Sequence, residues 1–469
     1  MKLLNNILIL VALLVLVGAC RDKLDLYPES SLTEGAFYNN ETQFIQAVND
    51  AYRQLGILYD AGGIPDIFGE LASDNVYIKA ASGADTYPED INLHHIKSDN
   101  GKLESAWNKA YSAIYVINNV LDQLGTTDVN FSSQELKSRL ISEAKTIRAL
   151  FYYNLTQAWG AVPFPLKVVS PSESYGYGRE DLPVIYAQLI QDLQEAKSNL
   201  PTAYSGSDVG RVTSYGASAV LAWIYLADGD KAKAINELKE IIDAGNFSLD
   251  ANNDGTINSS DYAYLFLATT KNAKESILEV QYLAGENQVN SHHQTEYAPW
   301  DFAFHLPGNS VTFRGNGLNT PSNGLIAEYE LGDPRKDLSL SLGFYDLQTN
   351  NFISYPYTLK FYDPNYLYPG QNVEIIRYAD ILLLYAELTG DPAYLNLVRA
   401  RVGLANYGSS AYPSTTYSNL QGAIAHERRV ELAFEFHRGF DLNRTGKTTL
   451  KFPIPQSVID TNPAITQNP

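Results

Sequence analysis

Between Leu136 and Trp159 the apolar positions Leu140, Ala144, Ile147, Phe151, Leu155 and Ala158 recur at helical spacing. That spacing lays one wide apolar stripe along a long predicted helix. Gly160 supplies a stop, and Pro163 and Pro165 forbid resumption. Arg148, Tyr152 and Tyr153 fall off the stripe, so a helix this aromatic must be covered on several sides. The same periodicity predicts helices over Glu41 to Leu58, Lys102 to Leu124, Pro183 to Leu200, Tyr215 to Ala227 and Lys231 to Ala244.

Ala219 to Ala234 resembles a tetratricopeptide helix-turn-helix, with small residues where two helices approach and Gly229 at the turn. From about 247 to 370 the pattern changes. Gly, Pro and Asn crowd the chain, and Ile277 to Tyr282 and Tyr355 to Tyr362 read as short strands among long loops. Loops of this length in a compact domain are usually functional. Helical periodicity returns over Glu374 to Leu388, Tyr394 to Arg401 and Leu420 to His437. On the last of these, Arg428, Glu431, Glu435 and Arg438 share one face. Each carboxylate has an arginine one turn away, so the stripe reads as an ion-pair lattice rather than an acid and base pair.

Composition adds an address. Lys2 precedes an apolar run from Ile7 to Val17, closed by Gly18, Ala19 and Cys20. The run is too short to span a membrane and has the form of a signal peptide. Cys20 is the single cysteine, so it has no disulfide partner and is expected to become a lipid-acylated N-terminus. The formal charge is −19, one unit more negative once Lys2 is removed. Such a surface repels nucleic acid and anionic headgroups, leaving the lipid as the membrane attachment. The 33 tyrosines combine apolar faces with hydroxyls, a composition that suits both helix packing and sugar platforms.

Two stretches of the middle carry candidate chemistry. Asp250, Asn252 and Asp254 occupy positions 1, 3 and 5 of a calcium loop. Gly255 makes the turn at 6, Thr256 offers a carbonyl at 7, and Asp261 closes at 12 where Glu is usual. The ion expected there is a structural Ca2+. Tyr297, Trp300, Phe302, Phe304 and His305, with Arg314 beyond, form a dense aromatic cluster. It is either a glycan platform or a satellite core under a long loop. No nucleophile elbow, metal-binding histidine pair or phosphate loop is found. The adjacent pairs His94-His95 and His292-His293 read as surface or loop histidines.

Several runs resemble a known family. E-A-x-x-x-R-A-L-x-Y-Y-x-L-x-x-x-W-G-x-V-P-x-P at Glu143 to Pro165 is similar to the central signature of the SusD/RagB family of nutrient-binding outer-membrane lipoproteins. Arg377 to Glu387, Leu395 to Arg401, His426 to Arg444 and Pro453 to Pro463 resemble its later segments, in family order. The resemblance implies a mainly α fold, a right-handed superhelix of tetratricopeptide-like helix pairs (about 41–246 and 371–469) supporting a loop-rich binding region with short strands (about 247–370). Residues 1–19 would be signal peptide and 20–40 a lipidated tether. Glu70 to Tyr77, continuing through Tyr87, resembles the loop bordering the family's binding face, which makes Asn75, Tyr77 and Tyr87 candidate ligand contacts. The implied function is non-catalytic capture of a glycan at the outer membrane, facing the cell exterior, for a SusC-like TonB-dependent transporter. A peptide-binding member is the alternative. A glycoside hydrolase, needing two carboxyls about 5–10 Å apart in a cleft, and a helical-repeat assembly lipoprotein are the other rivals.

Overall fold

A computed structural model describes residues 37–79, 86–299, 315–346, 349–365, 367–413 and 415–468. Cys20, Trp300, Phe302, Phe304, His305 and Arg314 lie outside the described residues.

The periodic segments are the scaffold. Helices α1 (Glu41–Tyr59), α2 (Tyr87–Asn92), α3 (Gly101–Thr126), α4 (Gln134–Trp159), α5 (Leu182–Asn199), α6 (Ser214–Ala227) and α7 (Lys231–Asp243) follow one another. From α4 onward, α5 packs on α4, α6 on α5 and α7 on α6, giving a stack of tetratricopeptide-like pairs. Gly229 turns between α6 and α7 at φ +87°, a conformation that suits glycine.

Every stripe residue of α4 is buried, as are Arg148 and Tyr152 beside it. Burial of Phe151 and Leu155 alone contributes about 1.5–3 kcal/mol each. The aromatic and polar flank of α4 is absorbed by the segment that follows. The Tyr152 hydroxyl donates to the Pro165 carbonyl at 2.6 Å and Tyr111 to Pro163 at 2.8 Å. Arg148 is paired with Asp192 at 2.7 Å. Trp159 donates its indole N–H to Pro453 at 3.0 Å, tying the C-terminal segment onto α4.

Further along the chain, α8 (Ser259–Leu265) follows the candidate calcium loop, and β2 (Ser276–Val280) pairs antiparallel with β8 (Val373–Arg377). The helix expected from Glu374 thus begins as a strand, and α9 (Tyr378–Thr389) starts only after Arg377. The pair Ile375-Ile376 suits either element, and pairing with β2 decides it. Then come α10 (Pro392–Arg401), α11 (Leu420–Glu431) and α12 (Arg438–Arg444).

The single helix expected from Leu420 to His437 is therefore broken. Phe434 and Phe436 take φ of +67° and +66°, which no helix residue adopts and which costs of order 1–3 kcal/mol each. The turn is held by contact with a π-helix at Pro65–Leu71. A Cβ on Gly69 would sit 2.0 Å from the Phe436 carbonyl oxygen, and one on Gly439 2.0 Å from that of Phe68. Two backbones meet there, and only glycine fits on either side.

Because the helix breaks, Glu435 and Arg438 do not share a face with Arg428 and Glu431. The lattice exists, but its partners come from other elements. Glu431 binds Arg335, Arg377 and Arg401, while Glu435 binds Arg377 and Lys360. Burial would raise both carboxyls, yet the surrounding guanidinia hold Glu431 well below the usual range and Glu435 below it.

Candidate functional site

The irregular middle gathers at one face. β1 (Val76–Tyr77) pairs with β3 (Thr320–Pro321), which lies against β7 (Tyr357–Thr358), itself paired with β4 (Leu340–Ser341). Between β4 and β7 a hairpin of β5 (Phe344–Tyr345) and β6 (Phe352–Ile353) stands off the face. Strand alternation divides its side chains. Phe344 and Ile353 face inward with Tyr355 and Tyr357. Tyr345 and Phe352 face solvent, 62% and 52% exposed, as a cross-strand edge-to-face pair 5.4 Å apart.

Lys79 joins the two parts of the face. Its ammonium donates to the Ser354 carbonyl at 3.0 Å and lies 4.1 Å over the Tyr355 ring. Partial desolvation lowers its pKa. Tyr77 is half-buried beside it, with a hydroxyl raised by the same cause. Tyr87 opens α2 and its exposed ring rests against Gly101. These two expected residues lie at the surface where a ligand can reach them.

Asn75 does not. It is 0% exposed, its amide donates to Glu70 at 3.3 Å, and its carbonyl accepts from Arg429 at 3.0 Å. It braces the loop from within. Arg438 grips Asp74 from outside at 2.6 Å, so two arginines of the C-terminal signature fix the edge of the face.

Tyr297 is also corrected. At 3% exposure it is core, donating its hydroxyl to Asp66 of the π-helix at 2.5 Å. Asn319 donates to the same carboxylate at 2.7 Å. His293 is buried too, stacked on Phe361 at 4.6 Å, whereas His292 is exposed and paired with Asp60. At Tyr297, the satellite-core reading is the one the structure supports. Residues that the sequence did not single out, Tyr345 and Phe352, supply the accessible aromatic surface instead, with Lys79 and the buried Tyr355 bracing it. Their signal is the Phe344-Tyr345 and Phe352-Ile353 alternation flanking an Asp/Asn-rich turn, too short to stand out.

Two oxygen-rich clusters have donors of the kind that hold a metal ion. Glu330, His426 and Glu427 place ligand atoms within 4.8 Å of one another. The Arg399 guanidinium already bridges Glu330 at 2.6 Å and Glu427 at 2.8 Å, filling the place a cation would take. In the loop from Asp250 to Asp261 the donors are hard oxygens suited to calcium. Asp250 accepts N–H bonds from Asp254 at 3.0 Å and Gly255 at 2.8 Å. Asp254 accepts from Thr256 at 2.8 Å, the Asn252 carbonyl from Asp254 at 3.0 Å, and the Thr256 carbonyl from Asn258 at 3.2 Å. Asp261 is buried in the first turn of α8, accepting from Asn258 and Asn252. Asn253 at φ +58° and Gly255 at φ +88° give the sharp turn. Each carboxylate oxygen retains a lone pair, so the donor set fits the ion.

The SusD family model matches residues 341–452, and a second model, described as starch-binding associating with the outer membrane, matches 24–226. SusD-like protein P25 of Formosa agariphila is 25% identical, with 94% of this chain and 90% of that protein aligned. A SusD-like protein of Bacteroides ovatus is 25% identical over 93% and 82%. Among solved structures, a laminarin-binding SusD-like protein superposes with a TM-score of 0.76 at 26% identity, covering 92% of this chain and 99% of that one. Surface glycan-binding protein A from Bacteroides uniformis gives 0.75 at 24%, over 92% and 99%.

Proposed function

Because the chain belongs to the SusD/RagB family, we propose that it is a non-catalytic glycan-binding protein of the outer-membrane surface. In this reading it captures an oligosaccharide on the face around Tyr77, Tyr87 and the Tyr345–Phe352 hairpin and delivers it to a SusC-like TonB-dependent transporter. The observation that carries it is the outward aromatic pair Tyr345 and Phe352, held on a braced hairpin rather than buried. Sugar rings present apolar faces to such planes and hydroxyls to polar groups such as the neighbouring lysine.

Capture is favoured over hydrolysis by where the raised carboxyls lie. A glycosidase acid needs an elevated pKa in an open cleft. Burial lifts Glu70 to about 8 and also raises Glu143 and Glu374, but all three are enclosed. The test is calorimetric titration with laminarin, starch and peptides, alongside an assay for new reducing ends. Glycan binding without product supports the proposal, whereas turnover or peptide-only binding overturns it.

Attachment through an acylated Cys20 is part of the same proposal. Cys20→Ser should release an intact protein that still binds glycan, and retention in membranes lacking the transporter would refute it. We propose also that the loop from Asp250 to Asp261 holds a structural Ca2+. At a hundredfold excess over its dissociation constant, the ion should stabilise the fold by about 2.7 kcal/mol. A melt unchanged by chelator would count against it.

A further inference from the structure

A second recess lies away from the loop face. A cavity of about 610 Å3 opens between α4, α6 and α12, within the range of small-molecule sites. One wall is a run of aromatic rings. Tyr153 stacks between Trp223, at 5.5 Å and 27°, and Phe440, at 6.1 Å and 21°. His437 meets Trp223 edge-on at 6.1 Å. Behind this wall Phe436 also lines the cavity and stacks on Phe361 at 5.9 Å. Phe361 in turn packs on the buried Tyr297. A layer of core aromatics therefore separates the cavity from the loop face.

The charged groups around it are occupied. Arg428 is paired with Asp380 and Asp441, Arg444 with Glu387 and Asp441, and the Lys451 ammonium caps carbonyls of α4. The Trp223 indole N–H, the Tyr153 hydroxyl, the His437 imidazole and the Thr449 hydroxyl make no hydrogen bond to the described residues. A site with paired charges, flat aromatic walls and unengaged hydrogen-bonding groups favours an uncharged, hydroxyl-bearing ring over an ion.

We propose that this cavity is a second saccharide site, holding one or two neutral sugar residues independently of the loop face. The proposal takes its ligand chemistry from the glycan-binding function proposed above, but its residues are separate. Trp223 reports on it directly. Of the four tryptophans, Trp107 and Trp159 are buried in the core, so a Trp300→Phe protein leaves Trp223 as its solvent-accessible indole.

The experiment titrates Trp300→Phe protein with glucose and with laminaribiose, following indole emission. A saturable change is expected, and Tyr153→Phe in the same background should weaken it about 3- to 10-fold, the value of one hydrogen bond. Should Tyr153→Phe fail to fold, His437→Ala replaces it. Calorimetry on a Tyr345→Ala, Phe352→Ala protein should still show binding of the short sugars. If emission is flat and all binding heat disappears with the face substitutions, the cavity site is overturned while the face reading stands. If emission changes but the face substitutions alter no glycan affinity, the cavity is supported and the face assignment fails. If neither sugar nor polymer binds the native protein, both fail.

Discussion

The C-terminal lattice and the loop face are built in opposite ways. Around Glu427, Glu431 and Glu435, five cations are packed away from water, and each of these three carboxylates is bonded to more than one of them. On the loop face the large groups, Tyr345 and Phe352, pair with one another and are more than half exposed to solvent. Buried charge that is fully paired fixes one arrangement and tolerates no vacancy, whereas exposed rings on short strands contribute little to folding and remain free to meet a partner. The two regions are joined by one signature, since Arg429 and Arg438 leave the lattice side to hold Asn75 and Asp74 at the edge of the face.

The comparison breaks most visibly at Glu431. Removing this carboxylate leaves Arg335, Arg377 and Arg401 short of a counter-charge inside the protein. Glu431→Gln should therefore cost about 3–5 kcal/mol of stability, read from a denaturant titration. A loss below 1 kcal/mol would show that the lattice is not enclosed.

Helix-scale order was legible in the sequence because periodicity survives over many turns. The α4 stripe, the α6–α7 turn and the loop-rich middle all follow from it, and the family signatures agree. What was not legible depends on residues far apart in the chain. The break after Glu431 requires Phe434 and Phe436 at positive φ, which side-chain pattern does not announce. It is imposed by backbone contact with Gly69. Tyr297 read equally as platform or core, and the choice was made by Asp66, 231 residues away. Asn75 has the chemistry of a polar ligand group, but Glu70 of the π-helix and Arg429, distant in sequence, engage both ends of its amide. Tyr345 and Phe352 lie on two-residue strands, which carry too little alternation to mark them in the sequence.

Glu70 sharpens the contrast by titration. Its folded pKa of about 8 lies above the unfolded value near 4.3, so the folded protein binds the extra proton between those limits. The contribution is complete below about pH 4.3 and is lost as pH rises to about 8, at up to roughly 1.4 kcal/mol per unit. Glu70→Gln should remove that slope, so the stability difference between variant and native protein should change across the window and level off above it. A pH-independent difference would mean that Glu70 is ionised in the fold.

On the face itself the expected effect moves from stability to affinity. Tyr345→Ala and Phe352→Ala each delete a ring already open to water, so unfolding free energy should shift by less than about 0.5 kcal/mol, as for surface positions. Glycan affinity should fall by about 1–2 kcal/mol for each lost aromatic anchor. Calorimetry and a melt on the same samples separate the two quantities. Unchanged affinity with intact folding would move the binding face elsewhere.

The smallest effect belongs to the link between the regions. Asp74 is half exposed, and its ion pair with Arg438 spans 2.6 Å at the protein surface. Solvent screening limits such a pair to about 0–1 kcal/mol, so Asp74→Asn should hardly alter the melt. Its consequence should lie in order rather than energy. The Arg438 guanidinium fixes the residue just before Asn75, and Tyr77 follows two positions later on β1, so loosening Asp74 should let that edge sample more conformations. Glycan would then have to order the edge on binding, with a small loss of affinity and a more unfavourable binding entropy. Faster amide exchange confined to residues around Asp74 to Tyr77 would establish this, because Asp74→Asn removes only the surface ion pairs to Arg438 and Arg429 and no partner of Glu431. Exchange that also rises around Glu431 would show instead that the face and the lattice unfold as one unit, and the division between a rigid interior and a separately adjustable face would fall.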